Sequence, residues 1–205
     1  MKRKTTIFIN LRFGTVFLVL LFLILLSVKI IFTDRHIDGQ TIENANGLRI
    51  VNNILPDESP LRTHIPRNIK YIVIHETGNP SSTANAQAHN HYLECNGDGS
   101  TAWHYTVDER IAYHHIPDDE IAYHAGKGNR SGIGIELCVN QGGDFEKTFD
   151  NGAKLTAKLI DVYGLSVHSI KQHADFMDKN CPENIRNNDR WIEFLSLVQK
   201  YLEEN

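Results

Sequence analysis

The sequence predicts one α/β domain carried behind an N-terminal transmembrane helix. Three observations point there. Two β-prone apolar runs, Tyr71-Ile-Val-Ile-His75 and Ile133-Gly-Ile-Glu136-Leu-Cys-Val139, read as buried strands. Amphipathic stretches of helical period follow at 148–163 and 189–202. An uncharged, mostly Leu, Val, Phe and Ile run from Phe13 to Val28 precedes them all. The chain has 205 residues, which leaves enough after the leading segment for a single domain with a full core. Hydrophobic content of 41% and charged content of 22% are those of an ordinary globular body. A net charge of −4 and a pI near 6.2 argue against a general nucleic-acid binder.

The N-terminus carries Lys2, Arg3 and Lys4. Lys29 can snorkel, so the apolar run extends to Phe32 and reaches about 20 residues, a bilayer-spanning length. Basic residues stay cytoplasmic, which places residues 1–12 inside and everything after residue 32 outside. No small-x-small cleavage site follows, since the flank reads Ser27-Val-Lys-Ile-Ile-Phe-Thr33. The sequence therefore favours an uncleaved signal anchor over 13–32, with a secreted protein as the outcome if cleavage occurs. Residues 33–65 mix Gly39, Gly47, Pro56 and Pro60 with polar residues and a short apolar patch at Leu48-Arg-Ile-Val51, and read as an extracytoplasmic linker.

The domain is expected over 66–205. The Tyr71 strand ends on His75 and is broken by Gly78-Asn79-Pro80. Ser81-Ser82-Thr83 offers caps for a helix running to about Glu94, with Ala84, Gln87, Ala88 and His91 sharing a face. His89 and His91 are two apart, so they diverge and form no metal pair. Asn96-Gly-Asp-Gly-Ser100 is a turn. Ala102–Val107 and Arg110–His115 flank Asp108-Glu109 as a hairpin. The Gly-rich loop 126–132 lacks the Gly-Lys-Ser/Thr ending of a phosphate loop, which excludes that reading. In the second buried strand Gly134 and Glu136 share one face. A carboxylate inside an apolar strand needs a reason, and Gly134 beside it is expected to leave room for a substrate. Thr148–Tyr163 is a helix stopped by Gly164, Val167–Gln172 a short strand delivering His173, and Asp189–Leu202 a closing amphipathic helix.

The three cysteines, Cys95, Cys138 and Cys181, are an odd set at irregular spacing, which is no disulfide framework. Cys138 reads as small core filler. His75, His173 and Cys181 together supply two imidazoles and a thiolate, a three-ligand set for Zn2+ that leaves the fourth position for water. Glu136 suits the proton transfers that such a centre needs. Lys179 can offset charge on an oxyanion. This is equipment for zinc-assisted amide hydrolysis. His75-Glu76 shares two letters with the His-Glu-x-x-His helix, but position 79 is Asn and the segment is a strand.

From about Lys70 to Asn187 the chain resembles the zinc-dependent N-acetylmuramoyl-L-alanine amidases of the type 2 family, which includes phage endolysins and is related to peptidoglycan-recognition proteins. The matching runs are Val-Ile-His75-Glu-Thr, Ala-Trp103-His-Tyr-Thr-Val-Asp108, Ala-Tyr-His124-Ala-Gly, Gly-Asn-Arg-Ser-Gly-Ile-Gly-Ile-Glu136, and Gln-His173 through Lys179-Asn-Cys181-Pro. The resemblance implies a central mixed sheet flanked by helices, zinc on His75, His173 and Cys181 in an open groove, Glu136 as catalytic glutamate and Lys179 as its assistant. It implies peptidoglycan as substrate, cut between N-acetylmuramic acid and L-alanine. Trp103 and His124 are expected either to touch substrate or to pack structurally. Gly132 stands where the family often has Ser, and Ala174-Asp-Phe-Met-Asp178 replaces its usual aromatic-Ser-Gly lead; both are expected at the groove rim. The rival expectation is a non-catalytic peptidoglycan-binding module.

Overall fold

The computed structural model describes residues 42–95 and 100–204, all within one compact unit. The expected anchor at 13–32, the basic segment before it and most of the turn at 96–100 lie outside the described residues. No helix among the described residues is long and apolar enough to cross a membrane.

Among the described residues seven strands form one mixed sheet: β1 (Asn44–Ala45), β2 (Leu48–Asn52), β3 (Tyr71–Glu76), β4 (Tyr105–Val107), β5 (Ile111–His114), β6 (Gly132–Leu137) and β7 (Ile170–Gln172). Their order across the sheet is β1-β2-β5-β4-β6-β3-β7. β3 runs parallel to both β6 and β7, β4 runs parallel to β6, and β4 and β5 form the expected antiparallel hairpin. β3 and β6 are central and covered on both faces, which is why they read as nearly continuous apolar runs.

The side-chain alternation of a strand sorts the two faces. Ile72, Ile74, Ile133, Ile135 and Leu137 join the main core with α2 (Phe145–Tyr163) and α4 (Trp191–Glu203). Gly164 at φ 60° ends α2, as the sequence predicts, but the helix starts one turn before the expected Thr148, where Asp144 caps it by accepting from the Lys147 amide at 3.1 Å. His75, Gly134 and Glu136 occupy the opposite face. A smaller cluster there packs Leu93 of α1 (Ala86–Cys95) against Leu55, Leu61, Trp103 and Ile116.

Three expectations change. From residue 42 the supposed linker belongs to the domain: Leu48 and Ile50 are buried in β2, which pairs with β5, and Leu55 and Leu61 are buried beside it. The signal was Asn46-Gly47, both at positive φ (48° and 84°), the two-residue turn of a tight hairpin joining β1 to β2. Second, α1 starts at Ala86, not in the Ser81 run. Asn85 Oδ1 accepts from the Ala88 amide at 2.9 Å and Asp108 Oδ2 from the Ala86 amide at 3.1 Å. Its buried face is Ala86, His89, Asn90 and Leu93, with His91 outside. Third, Gly132 is buried, not at a rim. A Cβ there would stand 2.6 Å from Val73 Cγ2, so a serine would have to displace a core valine.

Candidate active site

The site forms where three parallel strands end together. The β3–β6 register sets His75 directly beside Glu136. The β3–β7 register pairs Ile74 with Gln172, so one step further brings His75 abreast of His173. His173 opens a 3-10 turn, His173–Asp175, whose Asp175 carboxylate accepts from the Gln172 amide at 2.8 Å. The chain then loops back: the Ala174 amide donates to the Cys181 carbonyl at 3.1 Å, which brings Cys181 to the same point.

That return is held by a residue the sequence reading did not single out. Glu76, next to His75, is buried and accepts from the Asn184 amide at 2.8 Å, the Asn184 side chain at 2.9 Å and the Ile185 amide at 3.0 Å. It caps the short helix α3 (Glu183–Asn187) from across the fold and so ties the Cys181 segment to β3.

His75 Nδ1 lies 3.0 Å from His173 Nδ1 and 4.0 Å from Cys181 Sγ. The ligand atoms of the three residues all fall within 4.8 Å of one another. A tetrahedral zinc ion needs such atoms about 3.3–3.6 Å apart, given Zn–N near 2.0 Å and Zn–S near 2.3 Å, so the set fits. Burial holds His75 well below its ordinary pKa, with His124, His173 and Lys179 acting in the same direction. Burial and Lys179 also lower His173. Both imidazoles are thus neutral, the form that binds a cation. Burial pushes the Cys181 thiol up to about 12, so a cation must displace its proton on binding.

Glu136 Oε1 sits 3.8 Å from His75 Nδ1, and its Oε2 is buried with no hydrogen-bond partner among the described residues. Burial raises its carboxyl to about 7 against the opposing pull of Lys179. A carboxyl poised near neutrality, with an oxygen left over, can take and return a proton. Lys179 is exposed at the rim and lines a cleft with Glu76, Thr77 and Cys181. A second cleft shares Thr77 and is walled by His89, Tyr92 and Trp103.

Six of the seven predicted residues therefore come together: His75, His173, Cys181, Glu136, Lys179 and, on the far side of His75, His124. Trp103 lies further off, almost fully buried. Its indole donates to Thr106 Oγ1 at 2.6 Å, and Tyr92, half exposed, stacks over it at 6.4 Å between centroids. The aromatic surface open to the cleft is thus Tyr92 more than Trp103. His124 stands behind His75, with Nδ1 2.9 Å from His75 Nε2 and Nε2 2.9 Å from the Gly132 carbonyl. Both ring nitrogens are engaged within the protein, which leaves none for the expected substrate contact. The room over Gly134 is taken as well: a Cβ there would meet His124 Nδ1 at 2.7 Å. That glycine accommodates His124 and not a substrate.

A sheet that gathers two imidazoles, a thiol and a near-neutral carboxyl at one strand-end cleft has the make-up of a hydrolase centre. The N-acetylmuramoyl-L-alanine amidase family profile matches residues 65–184, and the chain belongs to this family. Among its relatives, N-acetylmuramoyl-L-alanine amidase XlyA of Bacillus subtilis is 36% identical over 151 residues, 72% of this chain and 50% of the relative. N-acetylmuramoyl-L-alanine amidase CwlH of the same organism is 37% identical over 131 residues, 62% of this chain and 51% of the relative. The chain spans about half the length of these curated relatives. The solved catalytic domain of XlyA superposes with a TM-score of 0.69 at 34% identity, covering 74% of this chain and 99% of that one.

Proposed function

We propose that this protein is a zinc-dependent N-acetylmuramoyl-L-alanine amidase. It hydrolyses the amide between N-acetylmuramic acid and L-alanine in peptidoglycan, from the outer face of the cytoplasmic membrane to which residues 13–32 anchor it. The observation that carries the reading is the meeting of His75, His173 and Cys181 at one point beside Glu136, whose buried Oε2 has no hydrogen-bond partner among the described residues. The family membership and the amidases it matches support the substrate class.

His75, His173 and Cys181 would hold the ion. Zinc held there supplies a Lewis acid and a water of lowered pKa. Glu136 accepts a proton from the attacking water and delivers it to the leaving nitrogen of L-alanine. A carboxyl near 7 is balanced for both transfers. Lys179 offsets the negative charge that grows on the scissile carbonyl oxygen. Glu76 and Thr77 line the cleft beside these groups.

The test is metal content and muropeptide hydrolysis of the wild type beside Glu136→Ala. The expected result is about one zinc per chain in both, with hydrolysis lost in the variant. Zinc in the wild type without hydrolysis would shift the reading to a binding module. Absence of zinc binding would remove the ligand assignment.

A further inference from the structure

Neither a substrate contact nor plain packing accounts for the geometry of His124. We propose that His124 is a positioning residue: it fixes the ring tautomer of His75, so that His75 presents a bare Nδ1 toward His173 and Cys181.

One group in this chain of contacts has a fixed hydrogen-bonding role. The Gly132 carbonyl can only accept, and it lies 2.9 Å from His124 Nε2. The proton of that buried ring is therefore on Nε2, which leaves Nδ1 with a lone pair. His124 Nδ1 faces His75 Nε2 at 2.9 Å, so His75 Nε2 is the donor. Neutral His75 then has no proton on Nδ1, the atom 3.0 Å from His173 Nδ1. The relay thus carries the carbonyl's polarity through two rings and ends on a lone pair at the ligand position. Orientation by an outer partner is how metal-bound histidines are generally held.

The fold is built to keep this ring in place. The His124 amide donates to Asn129 Oδ1 at 2.9 Å, and the Ala125 amide donates to the same oxygen, so the glycine-rich loop pins the backbone that carries the ring. Arg67 also donates to the Gly132 carbonyl, which anchors the head of the relay. Gly134 supplies the slot, since any side chain there would strike the imidazole.

The inference rests on the metal reading for its consequence, but the tautomer itself can be read without metal. In the zinc-free full-length chain, long-range proton–nitrogen NMR of the histidine rings is expected to show His75 protonated on Nε2. Protonation on Nδ1 would overturn the proposal, whether or not the protein proves to bind zinc. The second arm measures zinc dissociation constants by competition with a chromophoric chelator. His124→Phe is expected to weaken zinc binding roughly 10- to 100-fold. His124→Asn, whose Oδ1 can accept from His75 Nε2, should recover most of the loss. Equal zinc affinity in wild type and His124→Phe would also overturn it. If His124→Phe does not fold, the wild-type spectrum decides. A wild type that takes no zinc sinks the metal reading and leaves the spectrum to judge His124.

Discussion

At the scale of single residues, the site is a set of side chains whose charges are tuned by where they sit. His75 and His173 are kept neutral by burial, Cys181 is kept protonated, and Glu136 is raised toward neutrality. Lys179 differs, because it lies exposed at the rim. Lys179→Met should therefore leave fold and zinc content intact and lower kcat by roughly a hundredfold, as loss of one oxyanion-stabilising group does. Steady-state kinetics beside metal analysis checks this, and unchanged kcat would remove Lys179 from the mechanism. The residues that meet at the candidate site were legible in the sequence because their types are rare in those settings: a histidine ending an apolar strand, a glutamate inside one, a Cys following a His. Those that act through others were not. Gly134 looked like space for substrate, yet that space belongs to a ring from residue 124. Glu76 looked like half of an unrelated motif, yet it caps a helix 108 residues away.

At the scale of elements, buried polar ties join strands to helices. Asp118 is buried, with its Oδ2 accepting from Tyr105 of β4 at 2.9 Å and from Tyr163 of α2 at 2.7 Å. Its Oδ1 lies 3.4 Å from His114 Nε2 of β5. Burial alone would raise its pKa, but the His114 charge and these hydrogen bonds prevail and lower it. A folded pKa below the unfolded value means that the stabilisation is complete above the unfolded pKa of about 3.9. It is lost as pH falls through the folded pKa. Asp118→Asn should thus be less stable than wild type at neutral pH, and the gap should narrow below about pH 4. Urea midpoints across that range measure it, and a gap independent of pH would contradict the ion-pair account. Long periodic elements were readable from sequence, as α2 with its Gly164 stop shows. Short ones depended on distant partners: α3 has five residues and takes its cap from β3, and β2 is a strand because β5 lies beside it. Locally, β2 showed only as the short apolar patch Leu48-Arg-Ile-Val51 behind the Asn46-Gly47 turn.

At the scale of the whole molecule, the folded domain begins by residue 42, ahead of the 65–184 region shared with the family. Ile42, Ala45, Leu48, Ile50, Leu55 and Leu61 are all buried, at roughly 1.5–3 kcal/mol for each larger side chain. A fragment of residues 66–205 should melt well over 10 °C below one of residues 42–205, or aggregate through the uncovered β5 edge. Equal melting temperatures would show that β1 and β2 are dispensable. The general architecture, one α/β domain with its site at strand ends, was legible because its central strands are buried on both faces and so carry a strong apolar signal. The domain's first boundary was not, because turn residues break 39–66 into short runs. The central claim is that this domain cuts one particular amide, and product analysis tests it most directly. The zinc-loaded protein would be incubated with purified peptidoglycan and the products read by mass spectrometry. The account predicts stem peptides that begin with a free L-alanine amine, beside glycan strands whose muramic acid keeps its lactyl carboxylate. Intact muropeptides, or cuts within the stem peptide, would contradict it.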